Sequence, residues 1–209
     1  RLHALKTPGI LPVDDSETYS IPGFDRAAMK AEVSLLIDWY LPWKRGSAAS
    51  QDERDEYFAI WDDLIDQLAD SETNLLLRDF HSPNIIWRDD RTGAGKVGII
   101  DFQDAMIGPT AYDVASLVQD ARVTIRPDLS NALLERYLGM RRQHDATFDG
   151  TTLRDSCAIM ATHRKSKVGG IWVRLMQRDG KPRYMRHMPR PMEYLKAVVK
   201  NDRLSPLRD

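Results

Sequence analysis

Cysteine and long apolar runs are what this chain has least of. Cys157 is the only cysteine in 209 residues. A single thiol excludes an internal disulfide and a cysteine-built zinc site, and it fits a reducing compartment. No stretch approaches the roughly 20 apolar residues of a membrane span. Nothing in the first residues reads as a basic-then-apolar leader. On these grounds a cytoplasmic chain with no membrane partner is expected. Internal repeats and low-complexity tracts are also missing. Apolar residues make up 42% and charged residues 29%, the balance of an ordinary globular protein with one large domain or two small ones.

Net charge is only −1, yet it is unevenly spread. From His163 to Asp209 there are 13 Lys+Arg against 4 Asp+Glu, whereas the preceding 162 residues carry 17 against 27. A basic end suits an anionic ligand or nucleic acid. The plainer reading is a solvated helical face balancing an acidic surface. Trp172 and Tyr184 lack the spacing of an RNA-stacking sheet, so no nucleic-acid partner is expected.

Thr7 to Gly23, rich in Pro, Gly, Ser and Asp, reads as a connecting loop. From about Asp25 the period is helical, with Ala28, Met29, Val33, Leu36, Ile37 and Tyr40 on one side, and Pro42 is expected to stop it. Ser50 and Glu53 form a capping box for a helix carrying Tyr57, Ile60, Trp61, Leu64 and Leu68. The period then shortens. Residues 85–88 and 96–100 read as a hairpin joined by a turn with two glycines, and 75–78 as a short strand leading in. Helices are expected at about 113–125, 129–143, 151–178 and 190–200, with Gly169-Gly170 bending the third or allowing close packing. Residues 178–183 read as a turn. The fold class is mainly α with a small β-hairpin (α+β).

The stretch "LLLRDFHSPNIIW" places Asp79, His81 and Asn84 between two apolar segments. "GIIDFQDAMIGPTAYD" then ends an apparently buried strand on Asp101. Asp79, Asn84 and Asp101 can therefore converge at one end of the β-element. Mg²⁺ takes oxygen ligands, typically one or two carboxylates beside substrate phosphates and water. Asn84 and Asp101 suit that role, and Asp79 suits orienting an attacking hydroxyl. In-line positioning and neutralised phosphate charge are most of what phosphoryl transfer needs. His81 is either a loop-packing residue or a base. With no second His or Cys placed beside it, it does not read as a zinc site.

These motifs resemble a known family. "RDFHSPN" looks like a kinase catalytic loop with an Asp-x-x-x-x-Asn core, and "IIDFQD" is similar to the metal-binding Asp-Phe-Gly element. "GPTAYDVASL" resembles the segment that follows the metal-binding Asp in aminoglycoside phosphotransferase-like small-molecule kinases. Together with "RLMQRDGKPRYMRHMPRPMEYL", these stretches resemble most closely the bacterial cell-wall amino-sugar kinases, which phosphorylate the anomeric hydroxyl of N-acetylmuramate and N-acetylglucosamine. The resemblance spans most of residues 25–200.

The resemblance implies an ATP- and Mg²⁺-dependent cytoplasmic kinase acting on a sugar in peptidoglycan recycling. Asp79 would be the catalytic Asp, and Asn84 and Asp101 would hold Mg²⁺ on the ATP phosphates. Gln103, Asp104 and His81 would lie near substrate. Asp113 would brace the catalytic loop through backbone hydrogen bonds, or serve as an N-cap. Small-molecule kinases usually have His and Gly before the catalytic Asp; here, as in the amino-sugar branch, these are Leu77 and Arg78. Nothing matches the kinase N-terminal lobe with its Gly-rich loop, strand Lys and helix Glu. A protein-kinase-like C-terminal lobe is therefore expected at 25–209, with its catalytic and metal loops at 75–113. Residues 1–24 would connect it to a missing N-terminal lobe of the same protein, and the isolated lobe would be inactive alone. Two rivals stand beside this: an aminoglycoside antibiotic phosphotransferase, and a non-catalytic kinase-like module supporting a fused tRNA-modification ATPase.

Some residues carry blander expectations. Met29, Trp39, Tyr40 and Trp61 read as core, and Cys157 as a small buried hydrophobe. Arg164, Lys165, Lys167 and Arg174 read as solvated surface, with recognition of a lactyl carboxylate as the alternative. Glu32 and Asp38 are further candidates for a sugar site.

Overall fold

The structure is a computed structural model describing residues 1–198 and 202–207. Along the chain come β1 (Ile10–Pro12), β2 (Thr18–Ser20), α1 (Arg26–Leu35), a π turn (Leu36–Tyr40), α2 (Leu41–Arg45) and α3 (Gln51–Asp66). Then follow β3 (Thr73–Leu76), a 3-10 turn (Ser82–Asn84), β4 (Ile85–Trp87), β5 (Val97–Ile99) and β6 (Met106–Pro109). The remainder is α4 (Ala111–Val118), α5 (Pro127–His144), α6 (Gly150–Gln177) and α7 (Pro189–Val198), with short 3-10 turns between and after them. The chain is mostly helical with small sheets. The last two positions of the helix expected at 190–200 lie outside the described residues. The chain divides into two compact units.

The first unit comprises Arg1–Phe24 and Ser71–Arg154. The expected strand 75–78 is β3, which pairs antiparallel with β6, Thr73 opposite Pro109 and Leu76 opposite Met106. β6 lies in a stretch to which the sequence pattern assigns no element. A Cβ on Gly108 would fall within 3 Å of both Phe24 and Leu76, so only Gly lets this strand approach them. β4 and β5 form the expected hairpin, Ile85 opposite Ile99 and Trp87 opposite Val97. Its strands are not buried, however. Ile86, Trp87, Val97 and Ile100, which lie on both faces of the hairpin, are exposed, since a two-stranded hairpin shields little of either face by itself. The Thr7–Gly23 stretch is not all loop either. It contains the antiparallel pair β1–β2, with Ile10 opposite Ser20.

α4 is buried on nearly every side, as a helix apolar all round must be. Tyr112 meets Phe24 edge-on at 5.1 Å between ring centres. The helix stops at Val118, short of the expected 125, because the chain turns there. Asp120 accepts hydrogen bonds from the N–H groups of Arg122 (2.7 Å) and Val123 (3.1 Å), a side-chain turn that competes with further helix.

The second unit comprises Asp25–Asp70 and Asp155–Asp209. Val33, Trp61, Met160, Val173 and Leu204 are fully buried in it, with Met29 and Cys157 nearly so. The Ser50–Glu53 capping box is present, both reciprocal bonds made. Pro42 does not stop the helical path. The π turn places it in the first turn of α2, where its missing N–H removes no helix bond. α2 ends instead at Gly46, in the left-handed conformation (φ 83°). A Cβ on Gly170 would overlap the Leu35 carbonyl, so this glycine allows α6 to pack directly on the backbone of α1.

The basic residues of α6 correct a second expectation. Arg164 and Lys165 are buried, and Lys167 Nζ lies 2.7 Å from Glu32 Oε1. They are interior groups rather than a solvated face. α6 is covered by both α1 and α7: the Glu32 carboxylate partners Lys167, and the Lys165 ammonium lies over the Tyr194 ring.

Candidate active site

The site is assembled within the first unit from two loops. The first leaves β3. Its two opening residues, Leu77 and Arg78, give their backbone N–H groups to the Asp113 carboxylate at 2.7 and 2.9 Å. Asp113 sits in the first turn of α4 and is buried. The helix N-terminus favours its negative charge. Arg78 takes a positive φ of 62°, the region that favours glycine. Its guanidinium lies over the Phe24 ring at 5.8 Å and donates to the Asp104 carbonyl at 3.4 Å. Side-chain contacts and the Asp113 bonds thus hold a backbone conformation that glycine adopts without strain.

Asp79 follows. The chain then turns tightly: His81 N–H donates to the Asp79 carbonyl at 3.1 Å, and Asn84 N–H to the His81 carbonyl at 2.9 Å. His81 is buried within this turn. The 3-10 turn ends on Asn84, also buried.

The second loop leaves β5. Asp101, like Arg78, has φ 62°. Asn84 Nδ2 lies 2.9 Å from the Asp79 carbonyl and 3.2 Å from Asp101 Oδ2. Both amide donors are thereby engaged, which orients the carbonyl oxygen Oδ1 as the remaining ligand atom of Asn84. Gln103 Nε2 donates to Asp101 Oδ1 at 2.9 Å. That bond, with Asn84, His81 and Arg122, holds the exposed Asp101 carboxyl below its usual range against a smaller opposing effect of desolvation. Asp101 is therefore an ionised, accessible oxygen ligand at neutral pH.

The structure brings Asn84, Asp101 and Gln103 together and joins the Asp79 backbone to them. Asp104 meets the loop through its own carbonyl. Among the described residues no group of three or more His, Cys, Asp or Glu converges on a metal position. A Mg²⁺ ion fits the donor set nonetheless, since it takes few protein oxygens and completes its shell with phosphate and water.

Two other sequence candidates are engaged in ion pairs in the second unit, Glu32 with Lys167 and Asp38 with Arg54 (2.5 Å). Sequence reasoning missed Asp120, which is buried and whose Oδ2 accepts the Ser82 N–H at 2.8 Å. An Asp just past an apolar helix was the available signal.

Known proteins resemble this chain along most of its length. Residues 1–147 match the phosphotransferase enzyme family (APH). The chain is 33% identical over 207 residues to the N-acetylmuramate/N-acetylglucosamine kinase of Caulobacter vibrioides, covering 99% of this chain and 55% of that protein. A protein of the same name from Pseudomonas aeruginosa is 32% identical over 186 residues, covering 86% of this chain and 52% of its own. Another from Neisseria meningitidis serogroup B is 30% identical over 182 residues, covering 85% and 52%. The chain spans about half the length of the curated relatives it matches. With the family matched over most of its length, the chain belongs to the phosphotransferase enzyme family.

Proposed function

We propose that this chain is the C-terminal, acceptor-binding lobe of an ATP-dependent kinase that phosphorylates the anomeric hydroxyl of a cell-wall amino sugar, N-acetylmuramate or N-acetylglucosamine. It works with an N-terminal lobe of the same protein, in the cytoplasm, and is inactive alone. The observation that carries the reading is the orientation of Asn84. Its amide nitrogen is held by Asp79 and Asp101, so its Oδ1 stands ready beside an ionised carboxylate.

Asn84 and Asp101 would hold Mg²⁺, which would neutralise charge that develops on the transferred phosphoryl group. Asp79 accepts a hydrogen bond from the sugar hydroxyl and aims its oxygen at the γ-phosphorus. The new O–P bond forms as the bond to the ADP oxygen breaks, and the hydroxyl proton passes to the Asp79 carboxylate. Gln103 keeps one Asp101 oxygen in place throughout. Asp113 holds the start of the loop. Gln103, Asp104 and His81 border the acceptor.

The test is a panel of N-acetylmuramate, N-acetylglucosamine and kanamycin with ATP, Mg²⁺ and the full-length protein. Phosphorus NMR locates the phosphate on the product. Phosphate at the anomeric carbon of an amino sugar is expected, together with loss of turnover in Asp101→Ala. Turnover of kanamycin alone would move the protein to antibiotic modification. No turnover and no heat of Mg·ATP binding would make it a non-catalytic module.

A further inference from the structure

Asp113 and Asp120 hold the two ends of one loop. Asp113 accepts the N–H groups just before Asp79. Asp120, only 1% exposed, accepts the Ser82 N–H through Oδ2, two residues before Asn84. Its other oxygen, Oδ1, accepts the Arg122 and Val123 N–H groups. The second carboxylate is therefore itself fixed, by the turn that leaves α4.

We propose that Asp120 is a positioning residue: it pins the Ser82–Asn84 turn and so sets where Asn84 presents its carbonyl oxygen. This role rests on the phosphoryl-transfer reading above. Ser82 opens the 3-10 turn that ends on Asn84. The first N–H groups of a helical turn have no partner within it, and Asp120 supplies one. Burial alone would raise the Asp120 carboxyl, but the bonds from Arg122, Ser82 and Val123 outweigh it and keep the group acidic. A charged acceptor makes stronger hydrogen bonds to backbone N–H than a neutral one.

Two substitutions break the link from opposite sides. Asp120→Asn has one acceptor oxygen where two are needed, so an NH₂ group must face an N–H on one side. Ser82→Pro removes the donor and leaves Asp120 intact. Proline suits the 3-10 backbone at Ser82, and His81 before it is already extended (φ −142°, ψ 165°), as a residue preceding proline must be.

The experiment uses the full-length protein. Mn²⁺ binding in the presence of ATP is followed by electron paramagnetic resonance, and exchange of the 79–84 amides by mass spectrometry. Turnover is measured well below each variant's unfolding midpoint. Each variant is expected to weaken Mn²⁺ binding roughly tenfold or more, the usual effect of losing an outer partner of a metal ligand. Exchange in the loop should quicken, and KM for the sugar should hold. The double variant should be no weaker than the weaker single one, because both remove the same link. Lower thermal stability with unchanged Mn²⁺ binding would overturn the proposal, as would additive losses. Ser82→Pro keeps the test open should Asp120→Asn fold poorly. If the wild type binds Mn²⁺ with ATP but phosphorylates no sugar, the acceptor assignment fails and the positioning role is still decided by binding. If it binds no Mn²⁺, both fail.

Discussion

Asn84 faces Asp101 with its amide nitrogen, Nδ2 to Oδ2, across 3.2 Å. Asn84→Asp would place a second carboxylate at that separation and delete the donor to the Asp79 carbonyl. Like charges that close raise the apparent pKa of the pair. The folded-state pKa then exceeds the unfolded one, so the penalty is present at neutral pH and is relieved as pH falls. The variant is expected to lose about 1–3 kcal/mol at pH 7 in urea unfolding, with a smaller deficit at pH 5. An equal deficit at both values would show that repulsion is not the cause.

His3 Nε2 lies 3.1 Å from the Leu75 carbonyl oxygen, and Nδ1 lies 2.8 Å from the Tyr137 hydroxyl. A carbonyl only accepts, so Nε2 carries the proton and Tyr137 donates to Nδ1. Burial pushes the imidazole down from 6.5 to about 4; the Leu75 bond resists this and Arg141 adds to it. Asp113 lies 3.9 Å from Nε2. Between these two pKa values the unfolded chain binds the extra proton, so stability falls as pH drops from 6.5 toward 4. The slope reaches at most about 1.4 kcal/mol per pH unit. Urea unfolding of His3→Gln should show a flatter acid limb than the wild type over that window.

The parts of the site that lie close along the chain were legible in sequence. Asp79 and Asn84 are five residues apart, and the β4–β5 hairpin carries Asp101 back beside them by a turn visible as two glycines. The strand β6 was hidden, since its four residues have no alternation and end in Gly108-Pro109. The end of α4 was hidden as well, because Asp120 stops it through bonds to residues that follow. Burial of Arg164 and Lys165 had no local signature: a charged side chain looks the same in sequence whether it meets water or a distant carboxylate and ring. Pro42 misled for the opposite reason. Its local rule holds, but the π turn before it moved the helix start.

Lys165 gives a pH dependence of the same sign as His3, in a higher window. Its ammonium lies 4.9 Å from the Tyr194 ring centre and 3.4 Å from the Ala161 carbonyl. Burial first, then Arg164, lowers its pKa from 10.5 to about 7. Below that value both states hold the proton, and the folded one carries the cost of a buried charge. Between about 7 and 10.5 the unfolded state binds more protons, so stability rises with pH. Lys165→Met is expected to raise the melting temperature at pH 6, with a smaller gain at pH 9. A gain that does not change with pH would mean that Lys165 titrates in the fold as it does in the unfolded chain.

Gly169 and Gly170 are neighbours on α6 with different tolerances. A methyl on Gly169 would meet the Met192 Cε at 2.7 Å and Leu36 Cδ1 at 3.3 Å. Methionine has three rotatable bonds and can move aside, and alanine favours helix by about 1 kcal/mol over glycine. Gly169→Ala should therefore change stability by less than about 1 kcal/mol. A methyl on Gly170 would overlap the Leu35 carbonyl. No rotamer relieves a clash with backbone, so α1 and α6 must separate and lose their close packing. Gly170→Ala is expected to cost about 3 kcal/mol or more, lowering the melting temperature by roughly 6–12 °C for a chain of this size. Equal melting temperatures for the two variants would show that the helices do not approach through Gly170.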